Sequence, residues 1–274
     1  MGEFLIQHFP KVSAETWLAR FQAGEVVDEQ GALLSPETPY QAHTRLHYYR
    51  AIEDEPRLPF DEAVLFQDEH IVVADKPHFL PVTPGGRYLQ ETLLVRLKRK
   101  LGIDTLAPMH RLDRETAGIV LFSIKPATRG RYQAMFAQRD IRKHYEAVAP
   151  WRPDLAWPLT HQSRIEEDAG HFMQMREVPG QPNAETRIEV LKVQGDLALY
   201  GLSPITGRKH QLRVHCAALG MPIVNDLIYP KLFAMDSDDH AKPLQLLAKL
   251  VAFTDPITGQ ARSFSSQRRL MLAE

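Results

Sequence analysis

The chain has one cysteine, Cys216, among 274 residues. A single thiol excludes an intrachain disulfide and leaves no cysteine pair from which to build a thiolate zinc site. Net charge is nearly absent too: 33 Lys and Arg stand against 34 Asp and Glu, a balance of −1 that excludes a protein coating nucleic acid unselectively. No apolar run reaches membrane-spanning length, and the start Met1-Gly2-Glu3-Phe4 lacks a basic region leading into an apolar stretch. We therefore expect a cytoplasmic protein with no membrane partner. Internal repeats and low-complexity tracts are missing as well. What is present, 44% hydrophobic residues, can fill the core of one large soluble domain and a small one.

The most chemically loaded stretch is Met109-His110-Arg111-Leu112-Asp113-Arg114-Glu115-Thr116-Ala117-Gly118, followed by the apolar run Ile119-Val120-Leu121-Phe122. A short apolar run, β-branched at its start and entered through a glycine, predicts a buried strand. Asp113 then sits where a loop meets a sheet, rigidly held but close to solvent. Between Arg111 and Arg114 its carboxylate is expected to stay ionised, since an opposite charge nearby favours the charged form. Such a group suits a nucleophile, a base or a metal ligand better than a proton donor. A salt-bridged strand cap without chemistry is the alternative. Lys125, Arg129, Arg131, Arg139, Arg142 and Lys143 follow, with only Asp140 against them, and Arg96-Leu97-Lys98-Arg99-Lys100 precedes. These predict either a local RNA-binding patch, centred on Arg129, Arg139, Arg142 and Lys143, or a solvated helix face.

Residues 1–58 are expected to form a small N-terminal segment and 59–274 the main domain, with the polar, proline-bearing 54–59 as linker. Ser13 predicts the N-cap of a helix through Trp17, Leu18 and Phe21 that stops at Gly24, and Glu25-Val26-Val27 with the 28–31 turn predicts a small hairpin. In the main domain, strands over 63–67 and 71–74 flank a tight turn. A helix is expected over 126–138 with Tyr132, Met135 and Phe136 on one side, then a strand over 141–148. Residues 150–183 predict a hairpin with long loops, and 184–193 and 197–202 a strand and its return. Thr206 and Gly207 are read as the entry to a helix running to Gly220, with Leu212, Cys216 and Leu219 on its apolar face and Arg213 off it. Residues 244–253 and 260–264 predict a closing hairpin.

His110-Arg111-Leu112-Asp113 with Thr116 and Gly118 closely resembles the central motif H-R-L-D-x-x-T-S-G of the RluA-type pseudouridine synthases, with Ala117 where serine is commoner. Four further motifs occur in the family's order. Lys76-Pro77-His78-Phe79 through Pro84 resembles K-P-x-G-x-x-V-x-P, with Phe79 replacing a glycine whose positive φ phenylalanine does not favour. Lys143-His144-Tyr145-Glu146-Ala147 is similar to K-x-Y-x-A, and Thr206-Gly207-Arg208-Lys209-His210-Gln211-Leu212-Arg213-Val214-His215 to T-G-R-x-H-Q-I-R-x-H. Gly220 to Tyr229 resembles G-x-P-I-x-G-D-x-x-Y, with Asn225 for glycine, a mild change because asparagine also adopts left-handed geometry. The likeness covers roughly Val64 to Phe264. In the 1–58 segment the spacing of Trp17, Arg20, Gly24 and Val26 resembles a degenerate S4-type RNA-binding module.

The resemblance implies an α+β fold with a mixed, largely antiparallel central sheet and flanking helices. It implies an isomerase that needs no cofactor and no metal, acting as a monomer on structured RNA, ribosomal or transfer, and not on DNA. Asp113 would be the catalytic nucleophile or base, Arg213 its partner, and Tyr145 the ring against the target base. Arg111, His110, Arg208, His210 and Val214 would contact the substrate, Arg111 filling the space left by a flipped nucleotide. Other readings are weaker. The protein-kinase H-R-D loop lacks a Gly-rich loop before it and D-F-G after it. A metal-dependent hydrolase using Asp113, His110 and His210 has no paired-histidine spacing such as H-E-x-x-H. A non-catalytic RNA-binding protein would not need Asp113, Tyr145 and Arg213 in their motif contexts.

Overall fold

In the computed structural model, residues 1–10, 12–48, 55–168, 170, 173–233 and 239–273 are described. The chain divides into two compact units, Met1–Asp54 and Glu55–Glu274. In the first, α1 (Gly2–His8) and α2 (Ala14–Gln22) pack Leu5, Trp17 and Phe21 around Val26. Ser13 caps α2 as expected, its Oγ accepting from the Thr16 N–H at 3.2 Å. The expected hairpin is only partly formed. Asp28 closes its turn by accepting from Gln30 N and Ala32 N, but β1 (Val26–Val27) makes a single bridge to Leu33 and takes its ladder from β2 (His47–Tyr48). Pro36, with no N–H to give, ends the return strand early. The sequence signalled no helix over α1, whose N-cap Met1 makes no side-chain cap bond.

Glu55 to Leu58, read from sequence as linker, are bound into the second unit: Glu55 accepts from the Leu89, Gln90 and Glu91 amides, and Leu58 is buried. From there the order is β3 (Ala63–Gln67), β4 (Ile71–Lys76), α3 (Leu93–Leu101), β5 (Ala107–Pro108), β6 (Ala117–Ser123), α4 (Pro126–Gln138) and β7 (Ile141–Pro150). Then come β8 (Leu159–Glu167), β9 (Met175–Val178), β10 (Ala184–Gln194), β11 (Leu197–Pro204), α5 (Gln211–Ala218), β12 (Leu246–Thr254) and β13 (Ala261–Ser265). The strands form one sheet in the order β3-β4-β6-β12-β7-β11-β10-β8-β9, with β13 beside β12 and β5 beside β6. It is mixed and largely antiparallel. Among the described residues the one parallel pairing joins β6 to β12, through Leu247↔Ala117 and Ala248↔Gly118.

Alternation along β4 covers both faces of the sheet: Val72 and Ala74 pack under α3 with Leu93 and Leu97, while Ile71 and Val73 pack under α4 with Tyr132 and Met135. β6 is buried along its length, and its Leu121 and Phe122, fully buried, are each worth about 1.5–3 kcal/mol of transfer free energy. The third layer is α5, whose Leu212 and Cys216 pack on Ala147, Ile188, Tyr200 and Leu202 of β7, β10 and β11. Among the described residues no helix is long and apolar enough to cross a membrane.

α5 begins later than the sequence predicts. Thr206 and Gly207 lie in the preceding loop, and His210 at the N-cap is left-handed, φ 55. The cause is Gln211, whose Oε1 accepts from the Thr206 hydroxyl at 2.7 Å and the Arg208 N–H at 3.0 Å, winding the loop back on the helix start. Gly220, φ 71, follows its end.

Candidate active site

Asp113 projects from the loop between β5 and β6, which two backbone-level anchors hold. Met109 N–H donates to Leu121 O at 2.9 Å, and the Leu121 N–H donates to His110 Nε2 at 3.1 Å. The His110 ring also stacks on Phe136, centroids 4.9 Å apart, and burial pulls its pKa down to about 3, so it is neutral. A ring committed in this way is a brace, and its Nε2 is not free to bind a metal. Behind the loop, the buried Lys76 donates to Pro77 O, Leu80 O and Arg114 O at 2.8–3.0 Å. Burial pulls its pKa down to about 7, against the pull of Glu115 and Asp113. One ammonium thus ties the Lys76–Pro84 loop to the residue after Asp113.

The sequence neighbours of Asp113 are not its partners. Arg114 donates to Glu115 Oε1 at 2.9 Å and to the Tyr88 hydroxyl at 3.3 Å. The cation that meets Asp113 is Arg213 of α5, Nη1 to Oδ2 3.3 Å, with His210 Nε2 3.8 Å from the same oxygen. Arg213 is nearly fully buried and is gripped from behind by Asp226, Nε to Oδ2 2.8 Å and Nη2 to Oδ1 2.6 Å. Burial opposes its charge, but the hydrogen bonds and charge of Asp226, then Asp113 and Glu115, raise its pKa above the ordinary arginine value. The Tyr229 ring lies under the guanidinium, 5.5 Å away. Its hydroxyl accepts from Met175 N–H at 2.7 Å and lies 2.9 Å from His210 Nδ1. That leaves the tyrosine hydrogen for Nδ1 and puts the imidazole hydrogen on Nε2, facing Asp113.

Tyr145 reaches the same space from β7, opposite Leu202 and Ala248. Burial, and then the charge of Asp113, raise its hydroxyl pKa above the ordinary tyrosine value, so the phenol stays protonated. The cleft has a volume of about 710 Å³, the size of an ordinary small-ligand site, and its walls include Arg111, Asp113, Tyr145, Arg208, His210 and Arg213. Asp113 is 30% exposed within it. Arg111 is exposed, and Arg208 holds Asn183 O through Nε at 3.2 Å.

Two expected residues fall elsewhere. Val214 is buried with Ile165, Ala184, Ile228 and Tyr229, because on α5 it points into the layer beneath while its neighbour Arg213 faces the cleft. Arg129 donates to Ser123 Oγ at 3.1 Å and Thr105 O at 2.7 Å, so its guanidinium is folded onto the domain, away from the cleft. The other basic residues divide by strand alternation. Arg139, left-handed after α4, and Lys143 line the cleft, while Arg142 turns to the opposite face of β7 beside His144 and Arg187, in a hollow of about 700 Å³ that Arg139 and Lys143 also border. In α3, Arg96 holds Leu58 O and Phe60 O, which makes it structural. Asp226 was not singled out by sequence reasoning. Its signal was its place in the motif ending at Tyr229.

The left-handed positions of the family motifs survive their substitutions. Asn225 has φ 63 and Phe79 φ 66, the latter strained for a non-glycine residue. Phe79 is held by burial and by rings, Phe60 at 5.9 Å and His240 at 5.0 Å, with the Arg114 guanidinium 5.8 Å away.

A model of the family described as RNA pseudouridylate synthase matches residues 70–218. The dual-specificity RNA pseudouridine synthase RluA of Haemophilus influenzae is 31% identical over 79% of this chain and 97% of its own length. An uncharacterized RNA pseudouridine synthase of Synechocystis, slr1592, is 30% identical over 84% of this chain and 79% of that protein. Among solved structures, human RNA pseudouridylate synthase domain containing 4 superposes with a TM-score of 0.58 and 26% identity over 76% of this chain and 88% of that one. Human RNA pseudouridylate synthase domain containing 1 shares the fold, TM-score 0.63, at 23% identity over 78% of this chain and 86% of that one. With the motif residues meeting in one cleft and relatives spanning most of its length, the chain belongs to the RluA-type RNA pseudouridine synthases, which are isomerases.

Proposed function

We propose that this chain isomerises uridine within structured RNA, ribosomal or transfer, with Asp113 as the catalytic nucleophile or base. The observation that carries this reading is the Asp113 carboxylate, solvent-accessible in the cleft and met by the buried, doubly anchored Arg213. The reaction breaks the bond between ribose C1′ and uracil N1, turns the base and forms C1′–C5, with the C5 proton lost and one gained at N1. No atom is gained and no electron pair leaves, so the protein's contribution is to bind, orient and move protons.

A stacked uridine cannot reach Asp113, so it has to be flipped out at a cost of a few kcal/mol. Arg111, exposed at the cleft wall, fills the gap in this reading, and Tyr145 receives the base; both line the cleft, which supports it. Arg139, Lys143 and Arg208 offer cations to the flanking phosphates. Arg213 aims the carboxylate, and His210 Nε2 stands 3.8 Å from the same oxygen. We read the enzyme as a cytoplasmic monomer acting on RNA and not on DNA.

Asp113→Asn tests the assignment. It removes one charge and preserves shape, so pseudouridine formation should vanish while RNA binding stays within about tenfold. Near-normal turnover by the folded variant would overturn it. Mapping pseudouridines in RNA from cells lacking this protein would identify the target uridine.

A further inference from the structure

Helix α5 presents its chemistry in two directions. His210 and Arg213 face Asp113; His215, two residues on, turns toward β8 and β9, outside the cleft. There it meets His161 of β8 and Glu177 of β9. The His161 and His215 rings are edge to face, centroids 4.7 Å apart, and His161 Nε2 lies 2.7 Å from Glu177 Oε1. One donor atom from each of the three side chains lies within 4.8 Å of the other two. None of the three takes part in the isomerisation proposed above.

We propose that His161, Glu177 and His215 bind a divalent transition-metal ion of the zinc type, which pins α5 to the β8–β9 hairpin. Two imidazole nitrogens and one carboxylate are a ligand set that zinc accepts, at about 2.0–2.2 Å per bond, with a fourth position left to water or a hydroxyl. Ser163 supplies a hydroxyl, its Oγ 3.1 Å from His215 Nε2. The ligands come from a helix and two paired strands, elements that fix their backbones.

The surroundings of His215 match those of a ligating histidine. Its Nδ1 is 2.9 Å from Thr186 Oγ1, which the Gln211 side-chain amide in turn holds at 2.9 Å. When its ring hydrogen is on Nδ1 and donated to Thr186, His215 can offer Nε2 to an ion in place of the Ser163 hydroxyl; such outer partners set the tautomer of metal-binding histidines. His161 and Glu177 are partly exposed, 21% and 28%, and supply the movement that brings the donors to roughly 3.3 Å apart around an ion. The hydrogen between His161 Nε2 and Glu177 shifts to Nδ1 or leaves as a proton when the ion enters. Affinity therefore falls as the solution is acidified.

Zinc ion alone, titrated into the chelator-stripped full chain at pH 7.5 by equilibrium dialysis, tests the site. We expect one ion per chain and a rise in Tm. His161→Ala and Glu177→Gln, both on the accessible side, should keep the fold by circular dichroism. Each should lose about tenfold or more in affinity together with the Tm rise. Asp113→Asn should bind zinc as wild type does, whatever its effect on RNA. Absence of stoichiometric binding, or binding that both site variants retain, would overturn the proposal and leave a hydrogen-bonded histidine beside a histidine–glutamate ion pair.

Discussion

Asp226 holds the Arg213 guanidinium through two nitrogens, Nε and Nη2, and leaves Nη1 to meet Asp113 at 3.3 Å. Arginine's planar fork allows this division of labour, since two of its edges are fixed relative to each other. Lysine keeps the charge but is a single point donor that cannot serve both carboxylates in that geometry. Arg213→Lys should therefore lower the single-turnover rate about a hundredfold, the order expected when a reacting group is misplaced by about an ångström, with RNA affinity little changed. A variant as fast as wild type would sink this account. Asp226→Asn leaves a buried cation half-matched and should cost about 3–5 kcal/mol in urea unfolding.

At Tyr145, stacking and proton transfer can be separated. Tyr145→Phe keeps the ring and removes the hydroxyl, while Tyr145→Leu also gives up about 1–3 kcal/mol of base stacking. We expect the Phe variant to bind RNA normally and turn over about a hundredfold more slowly, because a positioned acid or base contributes at least that much. Single-turnover rates at saturating protein decide. If Phe matches wild type, the hydroxyl takes no part in proton movement.

The basic residues give a graded expectation for salt. Replacing Arg139 and Lys143 with Gln should flatten the slope of log affinity against log salt by about 0.7–0.9 for every phosphate that is no longer neutralised. Arg129→Gln should leave the slope unchanged, since that guanidinium is spent on Ser123 and Thr105. A flatter slope for Arg129→Gln, or none for the double variant, would put the RNA elsewhere.

Phe79 should reverse the usual ranking of alanine and glycine. A left-handed residue with a side chain stores about 1–2 kcal/mol of strain, which glycine relieves and alanine does not. Removing the buried ring costs both variants about 3–5 kcal/mol. Phe79→Gly should thus be more stable than Phe79→Ala by about 1 kcal/mol, and equilibrium unfolding that ranks alanine higher would refute the strain.

Much of the site was legible because Asp113, Tyr145 and Arg213 each sit in a contiguous motif, and periodicity placed α4, β7 and the β10–β11 return. Partners across elements were legible only where the family resemblance named them, as it did Arg213 for Asp113. Arg114 looked like the counter-ion of Asp113 from one residue away, yet its guanidinium goes to Glu115 and Tyr88, and a residue on another element takes its place. Val214 was carried into the site by its motif, but helical geometry turns it into the core. Periodicity also says nothing of side-chain bonds such as those of Gln211, which delay the start of α5. His161, Glu177 and His215 form no local pattern, and only the packing of α5 on the sheet unites them.

Gly118 lies where β6 meets β12, and a Cβ there would come within 2.2 Å of the Ala248 carbonyl oxygen. Asp113 hangs from the loop on one side of that two-residue seam, while Tyr145 and Arg213 belong to the strands and helix on the other. The spacing on which the chemistry depends is therefore an alignment between two half-sheets. A side chain wedged at Gly118 would misregister carboxylate and guanidinium with every cleft residue intact, and damage there would look like lost catalysis in a protein that still recognises its RNA.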